Sequence, residues 1–302
     1  MSYRQSLILL HIVILIWGFT GILGKVLTDV LLSEQLVWHR MLIGFLSIGA
    51  AVLVMKKTPW PSTGTVLQLF AVGVVIALHW VTFFGSIKAS NVSIALACLS
   101  SGSLFTAILE PIFFKRKILA YELILGLAVI GALVLIFKFE TNYQLGIILS
   151  VTSAFLASLF TTLNGKFVRN TDPVKVSLFE IFGGWVAVSI YLVFSGQLTE
   201  EMFDLPGSAW WRIIVLGTIC TGFAFLAGVA VMKKLSPFTV SLSINLEPIY
   251  SIILAFYFFS EHRVLTTEFY IGAIIILGTV VANALLKARR NKQTGELNES
   301  IS

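Results

Sequence analysis

A few ionisable and polar side chains lie inside long apolar runs, and one group combines a carboxylate, an amide and a proline. Glu247 is followed by Pro248 and preceded at two residues by Asn245. A charge in the middle of a membrane helix costs on the order of 3 kcal/mol, and proline leaves a backbone carbonyl free by removing a donor. We therefore predict that Glu247 and Asn245 bind a proton or the amine of a solute beside a kink at Pro248. The alternative is a structural carboxylate bonded to a neighbouring helix.

His79 also lies midway along an apolar run, and Trp80, Phe83 and Phe84 follow it. The ordinary histidine pKa of about 6.5 suits proton exchange near neutral pH, and a wall of aromatic rings can hold a flat or cationic solute. A proton- or solute-binding role for His79 and Trp80 is one hypothesis. The alternative is a neutral histidine bonded to a backbone carbonyl, with aromatic rings that pack or face lipid.

Other candidates have weaker support. Trp17 lies in the first apolar run, and Asn164 near the end of the sixth could line a cavity or cap its helix. Arg40 lies near one end of its run, so we expect its long side chain to reach the interface. For Arg40, topology or salt bridging is favoured over solute contact. Glu180 is expected to be interfacial or paired, and we group it with Arg40 and Pro248 as topology or gating residues.

The elements that must position these side chains are membrane helices. Of the 302 residues 57% are hydrophobic and only 12% are charged, whereas a soluble domain carries about 25% charged residues. A spanning helix needs about 20 mostly apolar residues, and the runs are too long and continuous for barrel strands. The sequence predicts an all-α membrane protein with ten transmembrane helices near residues 6–24, 36–55, 66–87, 92–114, 119–137, 144–164, 175–195, 210–231, 238–259 and 268–286.

The basic residues indicate topology rather than nucleic-acid binding. The net charge is +6, and most Lys and Arg residues fall in cytoplasmic segments if the N-terminus is cytoplasmic. The positive-inside rule then predicts that both termini are cytoplasmic. We expect a multi-pass protein of the cell inner membrane, with lipid as its surroundings and no nucleic-acid partner.

The two halves of the chain are similar. Residues 84–93 align with residues 230–239 at a constant offset, which pairs Gly102 with Pro248 and leaves Glu110-Pro111 without a counterpart. Because each half has an odd number of spans, the second half must insert upside down. We predict two inverted five-helix repeats, over residues 6–137 and 144–286, followed by a polar and disordered cytoplasmic tail at 287–302. Inverted repeats are typical of secondary transporters.

Short motifs follow one another along the chain in a recognisable order: Trp17-Gly18, Lys25, Arg40, Lys88-Ala89-Ser90, Glu247-Pro248, Phe259-Ser260-Glu261-His262-Arg263 and Gly278. In their order and spacing they resemble the EamA-type branch of the drug/metabolite transporter superfamily over roughly residues 6–286. The sequence departs from the family at Lys115-Arg116-Lys117, where an acidic turn is common, and at Gly102, which replaces a proline. The resemblance implies a central cavity between the repeats and export or exchange of amino acids and related metabolites.

The predicted function is a secondary transporter, in the family an exporter, that moves a small-molecule solute by alternating access. No cofactor or metal is expected, and the absence of a nucleotide-binding loop argues against ATP-driven transport by this chain. Assembly as a homodimer is compatible with the sequence. The alternatives are an intramembrane enzyme, which would need a convergent catalytic set, and a channel or sensor without a transport cycle. We predict no enzymatic activity.

Overall fold

The computed structural model describes residues 1–54, 59–115, 117, 120–244 and 246–301, and within these ranges it contains helices and no strand. A π-helical turn at Thr218–Phe223 joins α9 to α10. The α-helices are α1 (Tyr3–Leu27), α2 (Ser33–Val54), α3 (Thr63–Ala89), α4 (Val92–Leu99), α5 (Gly102–Phe114), α6 (Ala120–Phe139), α7 (Gln144–Phe167), α8 (Pro173–Phe194), α9 (Gly207–Gly217), α10 (Ala224–Val231), α11 (Pro237–Ile244), α12 (Glu247–Phe259) and α13 (Thr267–Ile301).

Several of these helices are long and apolar enough to cross a membrane. Three shorter apolar helices overlap the predicted spans 119–137, 238–259 and 268–286, namely Ile124–Phe139, Ile249–Phe259 and Thr267–Thr279. The predicted all-α membrane class is confirmed, whereas the number of ten spans stays a prediction. By length and composition the described residues hold seven such segments, at Tyr3–Leu27, Ser33–Val54, Thr63–Ala89, Val92–Phe114, Thr141–Phe167, Pro173–Phe194 and Gly207–Val231.

Two predicted spans are interrupted at matching positions. Helices α4 and α11 have 8 residues each, and α5 and α12 have 13 each. Pro248 lies in the first turn of α12, where its missing donor costs no helical hydrogen bond, so it begins a helix instead of kinking one. If the two broken spans are aligned by these helix lengths, Gly102 corresponds to Glu247. The sequence alignment instead pairs Gly102 with Pro248, one residue further on. Asn245 lies outside the described residues.

Contacts between helix ends agree with the predicted topology. Gln35 Nε2 donates to the carbonyl of Gln197 at 2.9 Å, and both residues are predicted on the outer face. Lys175 Nζ donates to the carbonyl of Pro59 at 2.7 Å, and both are predicted on the cytoplasmic face. Helix ends that the charge distribution assigns to the same face therefore lie together, whereas which face is cytoplasmic stays a prediction.

Helix α13 continues through residues 287–301, which the sequence predicts as a disordered tail. The expectation of disorder differs from the structure because extending an existing helix needs no new nucleus. Basic residues that follow the last apolar turn can therefore stay helical.

Helix α3 packs closely against α8 because glycines face each other there. A Cβ atom on Gly73 would overlap the carbonyl oxygen of Glu180 and lie 2.7 Å from the amide nitrogen of Gly184. Small residues let the backbones of membrane helices approach closely. This contact holds α8, and with it Glu180, against the centre of the helix bundle.

We expect Gly73→Ala to lower the midpoint of thermal unfolding in detergent micelles, because neither backbone neighbour can move aside easily. Overpacking of this kind costs about 1–3 kcal/mol. Gly131→Ala is the matched control, since a Cβ atom there meets no atom within 4 Å, and alanine favours a helix over glycine by roughly 0.5–1 kcal/mol. A Gly73→Ala protein as stable as the Gly131→Ala protein would contradict the close packing.

Candidate functional site

A cavity of about 110 Å³ lies between helices from both halves of the chain. A water molecule needs at least about 10–15 Å³ by this kind of measure, so the space accommodates several waters or a small solute. The wall is mostly apolar and aromatic. Phe83 of the predicted aromatic wall lines it. Of the predicted site residues, the structure brings six to this wall, namely Trp17, Arg40, His79, Trp80, Asn164 and Glu247.

Arg40 on α2 lies in this wall with 2% of its surface exposed. Its guanidinium carbon lies 3.8 Å from the centroid of the Trp80 ring, and Nε donates to Thr221 Oγ1 at 2.7 Å. The structure therefore differs from the expectation that Arg40 reaches the interface. An aromatic face and a hydroxyl replace water around the guanidinium. Because this group is weakly hydrated, the free-energy cost of burying it is then small.

The π-helical turn between α9 and α10 provides the partner of Arg40. Thr221 Oγ1 donates to the carbonyl of Leu216 at 2.9 Å, so its lone pairs are left to accept from Arg40. Trp17 Nε1 donates to the carbonyl of Cys220 at 3.1 Å, which satisfies a backbone acceptor of the same turn. Such π-turns occur frequently at functional sites, and this one orients both Trp17 and Arg40.

Helix α2 reaches the π-turn because Gly44 lies at the contact. A Cβ atom on Gly44 would be 2.7 Å from Thr221 Cγ2. Gly217 at the end of α9 similarly leaves no room, since its Cβ would be 2.5 Å from Ile43 Cβ. These two glycines set the short distance between α2 and the turn on which the Arg40 hydrogen bond depends.

Glu247, the first residue of α12, brings a carboxylate to the same wall and is 7% exposed. Arg40 lines the same cavity. Within the described part of the chain, no group of three His, Cys, Asp or Glu side chains comes together as a metal site. The cavity wall therefore carries a guanidinium group and a carboxyl group among aromatic rings.

His79 on α3 is held by the backbone of α7. Nδ1 lies 3.0 Å from the carbonyl oxygen of Ser153, while Ser153 Oγ donates back to the His79 carbonyl at 3.0 Å. Nδ1 is also 2.8 Å from Ser153 Oγ. The carbonyl can only accept, and Oγ gives its proton to the His79 carbonyl, so the network assigns the ring proton to Nδ1 and leaves Nε2 without one. The imidazole is thus bonded to a backbone carbonyl, as one of the two sequence hypotheses expects, and it also belongs to the cavity wall.

Asn164 and Glu180 form a pair behind the wall. Asn164 Nδ2 donates to Glu180 Oε2 at 3.2 Å, and both side chains are completely buried. Asn164 lines the cavity, whereas Glu180 does not. Of the two expectations for Glu180, interfacial or paired, the structure has the pair, since α3 packs on the Glu180 backbone and Asn164 reaches its carboxyl group from α7.

Several small polar residues of the wall were missed in the sequence. Thr20, Ser103, Thr161 and Ser241 all line the cavity. Serine and threonine in helices commonly bond to the carbonyl one turn earlier, so their presence in an apolar run does not indicate a site. Thr106 Oγ1 and Ser241 Oγ, 3.0 Å apart, bridge α5 and α11, a contact that only the three-dimensional arrangement reveals.

An open groove of about 720 Å³ lies beside the cavity, at the ends predicted to face the cytoplasm. Arg169, Lys233 and Lys234 line it, together with Pro237 at the start of α11. Met232 borders both the groove and the cavity. Met232 is therefore the described residue that the cavity and the groove have in common.

Comparisons with known proteins agree with this architecture. The sequence model of the EamA-like transporter family matches residues 4–138 and 144–284. The uncharacterized transporter YxxF of Bacillus subtilis (strain 168) is 27% identical over 230 residues, which are 74% of this chain and 72% of that protein. The uncharacterized transporter YdfC of the same organism is 23% identical over 264 residues, 86% of this chain and 84% of that protein. One solved crystal structure matches with a TM-score of 0.67 over 94% of this chain and 99% of that chain at 17% identity, a likeness of fold alone.

The Asn164–Glu180 pair can be tested by a double-mutant cycle. We expect Asn164→Ala to lower the midpoint of thermal unfolding, because it leaves a fully buried carboxyl group without its hydrogen-bond donor, at a cost of roughly 1–3 kcal/mol. In a Glu180→Leu background the same change should cost much less. Equal losses in the two backgrounds, measured in detergent micelles, would contradict a direct coupling.

Proposed function

Because the chain belongs to the EamA-like transporter family, we propose that it is a secondary transporter of small zwitterionic metabolites such as amino acids. The family resemblance inferred from the sequence is confirmed, and the protein is a multi-pass membrane transporter. The proposal adds the solute class, alternating access between inverted repeats, and export as the family direction. It also places the chain in the inner membrane with ten spans and both termini cytoplasmic.

The observation that carries the solute class is the presence of Arg40 and Glu247 on one cavity wall. A charge held in a bilayer without a counter-charge is costly, which is why intramembrane ionisable residues commonly mark solute or ion pathways. A zwitterion supplies both partners at once, a carboxylate for the guanidinium and an amine for Glu247. Aromatic rings such as Phe83 and Phe225, also on the wall, would then contact the apolar part of the solute.

The surroundings of the cavity support alternating access. Towards the predicted outer face, α1 packs tightly on α3 and α4, where Gly24 leaves no room beside the Phe84 ring and Gly21 lies against Val92. Towards the predicted cytoplasmic face, only Met232 borders both the cavity and the groove. This asymmetry corresponds to a conformation closed outside and nearly open inside, with helices from both halves around the solute.

The coupling proposed here runs through a proton on Glu247 or His79, with facilitated diffusion as the alternative. Both residues line the cavity, so a proton bound at either one shares the space of the solute. A proton-coupled cycle needs a group that exchanges protons with water when the cavity opens. The Nε2 atom of His79 and the Glu247 carboxylate are the two groups in this wall that can do so.

Flux measurements in proteoliposomes test the function directly. We expect saturable uptake and counterflow for members of a panel of amino acids, and no such flux for uncharged solutes of similar size. Product formation without net flux would indicate an enzyme instead, and flux that does not saturate would indicate a channel. Either outcome would overturn the proposal.

We expect Glu247→Gln to impair zwitterion transport or to shift its pH dependence, because the neutral amide has no charge to pair with an ammonium group and does not take up a proton. The control is Glu201→Gln, an exposed carboxylate in the turn at Glu200–Met202, which should behave as wild type. The measurement is initial flux between acidic and alkaline pH. Wild-type flux of the Glu247→Gln protein at every pH would remove Glu247 from the mechanism.

The role of Thr221 in positioning Arg40 gives a further prediction. Thr221→Val keeps the side-chain volume but removes the acceptor of Arg40 Nε. We expect KM for a zwitterion to rise by about tenfold, with a smaller change in maximal rate. This is the size of effect that loss of a hydrogen bond to a charged group produces. Thr221→Ser keeps the hydroxyl oxygen and should retain a KM near that of the wild type. If valine and serine had the same effect, the hydrogen bond would not orient Arg40.

A further inference from the structure

Glu261 binds the first turn of α4 from the other half of the chain. Its Oε1 accepts from the backbone nitrogen of Val92 at 2.9 Å. Its Oε2 accepts from the backbone nitrogen of Ser93 at 2.8 Å and from Ser93 Oγ at 2.6 Å. Asn91 Oδ1 accepts from the next nitrogen, that of Ile94, at 2.9 Å. All three initial donors of α4 are therefore satisfied, two of them by a carboxylate from a distant part of the sequence.

This contact, which we call the outer latch (Glu261, Val92 and Ser93), joins the two halves at the predicted outer face. Glu261 is 5% exposed, so water does not readily replace the three hydrogen bonds. A carboxylate at a helix N-terminus is also favoured by the helix dipole. Val92 in turn packs against Gly21 of α1, which links the outer latch to the apolar contacts that close the cavity on this side.

The corresponding end of α11 cannot form the same contact. The matching helix lengths place Pro237 opposite Val92 as the first residue of its helix, and proline has no N–H group to donate. Ser236 serves as a local cap instead, with Oγ accepting from the nitrogen of Thr239 at 3.2 Å. The residues that follow the two 13-residue helices also differ. Ser260 after α12 and Lys115 after α5 both have left-handed backbone conformations. In the sequence the next residue is Glu261 in the first case and Arg116, whose side chain has no acceptor, in the second.

We propose that the outer latch holds the transporter closed to the outside, and that Pro237, which cannot donate as Val92 does, biases the chain towards the state open to the cytoplasm. The inference rests on the proposed function, because it assumes alternating access and the predicted faces. Opening to the outside requires α4 to separate from the turn at Glu261–Arg263, which breaks the three hydrogen bonds to Glu261. Opening to the cytoplasm breaks no hydrogen bond from the nitrogen of Pro237, because proline has no N–H group.

Accessibility of the cavity tests the outer latch without any solute. The reporter is a single cysteine, Ser103→Cys on the cavity wall, in a chain that also carries Cys98→Ala and Cys220→Ala. A membrane-impermeant thiol reagent is applied to right-side-out and to inside-out vesicles. Adding Glu261→Gln, in which one acceptor becomes a donor, should raise the labelling rate from outside about tenfold, which corresponds to about 1.4 kcal/mol. Labelling from inside should fall.

Two controls separate an outer latch from general loosening. Glu201→Gln, on an exposed carboxylate, should leave both rates unchanged. Val92→Pro reproduces the start of α11 by removing one donor at a helix position where proline is well tolerated, and it should raise outside labelling less than Glu261→Gln does. It also serves as the test variant if Glu261→Gln does not elute as a single folded species.

Unchanged rates, or equal increases from both sides, would overturn the outer latch. The result is independent of the solute class. If no zwitterion is transported and yet Glu261→Gln opens the outer side, the proposed solute is wrong and the outer latch stands. If zwitterions are transported and both variants label as the parent protein does, the outer latch is wrong and the proposed function stands.

Discussion

A buried guanidinium is the constraint around which the centre of this protein is arranged. Arg40 is 2% exposed, and the face of Trp80 and the hydroxyl of Thr221 take the place of part of the water that would surround it at a surface. A charge in that position requires α2, α3 and the π-turn to converge. Glu247 of α12 brings a carboxyl group to the same cavity wall, and helices from both halves of the chain complete that wall.

The continuous helices and the interrupted helices have different roles in this arrangement. The continuous helices α3, α7 and α8 pack through glycine and serine contacts, such as Gly73 against the Glu180 backbone and Ser86 Oγ on the carbonyl of Gly146 at 2.8 Å. The two broken spans, α4–α5 and α11–α12, carry the ends that differ between the two faces. A scaffold of close contacts thus surrounds the segments whose separation the proposed cycle requires.

The sequence predicts much of the fold, because apolar runs and basic loops follow from the bilayer alone. It also selects the ionisable residues of the cavity wall, Arg40, His79 and Glu247, because a charge inside an apolar run is costly. The sequence does not predict the burial of Arg40, because Trp80 and Thr221, which offset the loss of water around its charge, are far away along the chain. It also fails for the outer latch, because a glutamate in a loop looks like any solvated charge until Val92 and Ser93 are seen to face it.

The π-turn at Thr218–Phe223 holds one residue more than a regular helix would place in the same length. Each residue turns an α-helix by about 100°. Loss of a single residue from this turn would therefore rotate all of α10 about its axis and carry Gly228 away from the Trp17 ring, where they now lie in contact. The extra residue in the π-turn therefore sets which side of α10 faces the cavity. An insertion or deletion in this short stretch would change the cavity wall more than most substitutions could.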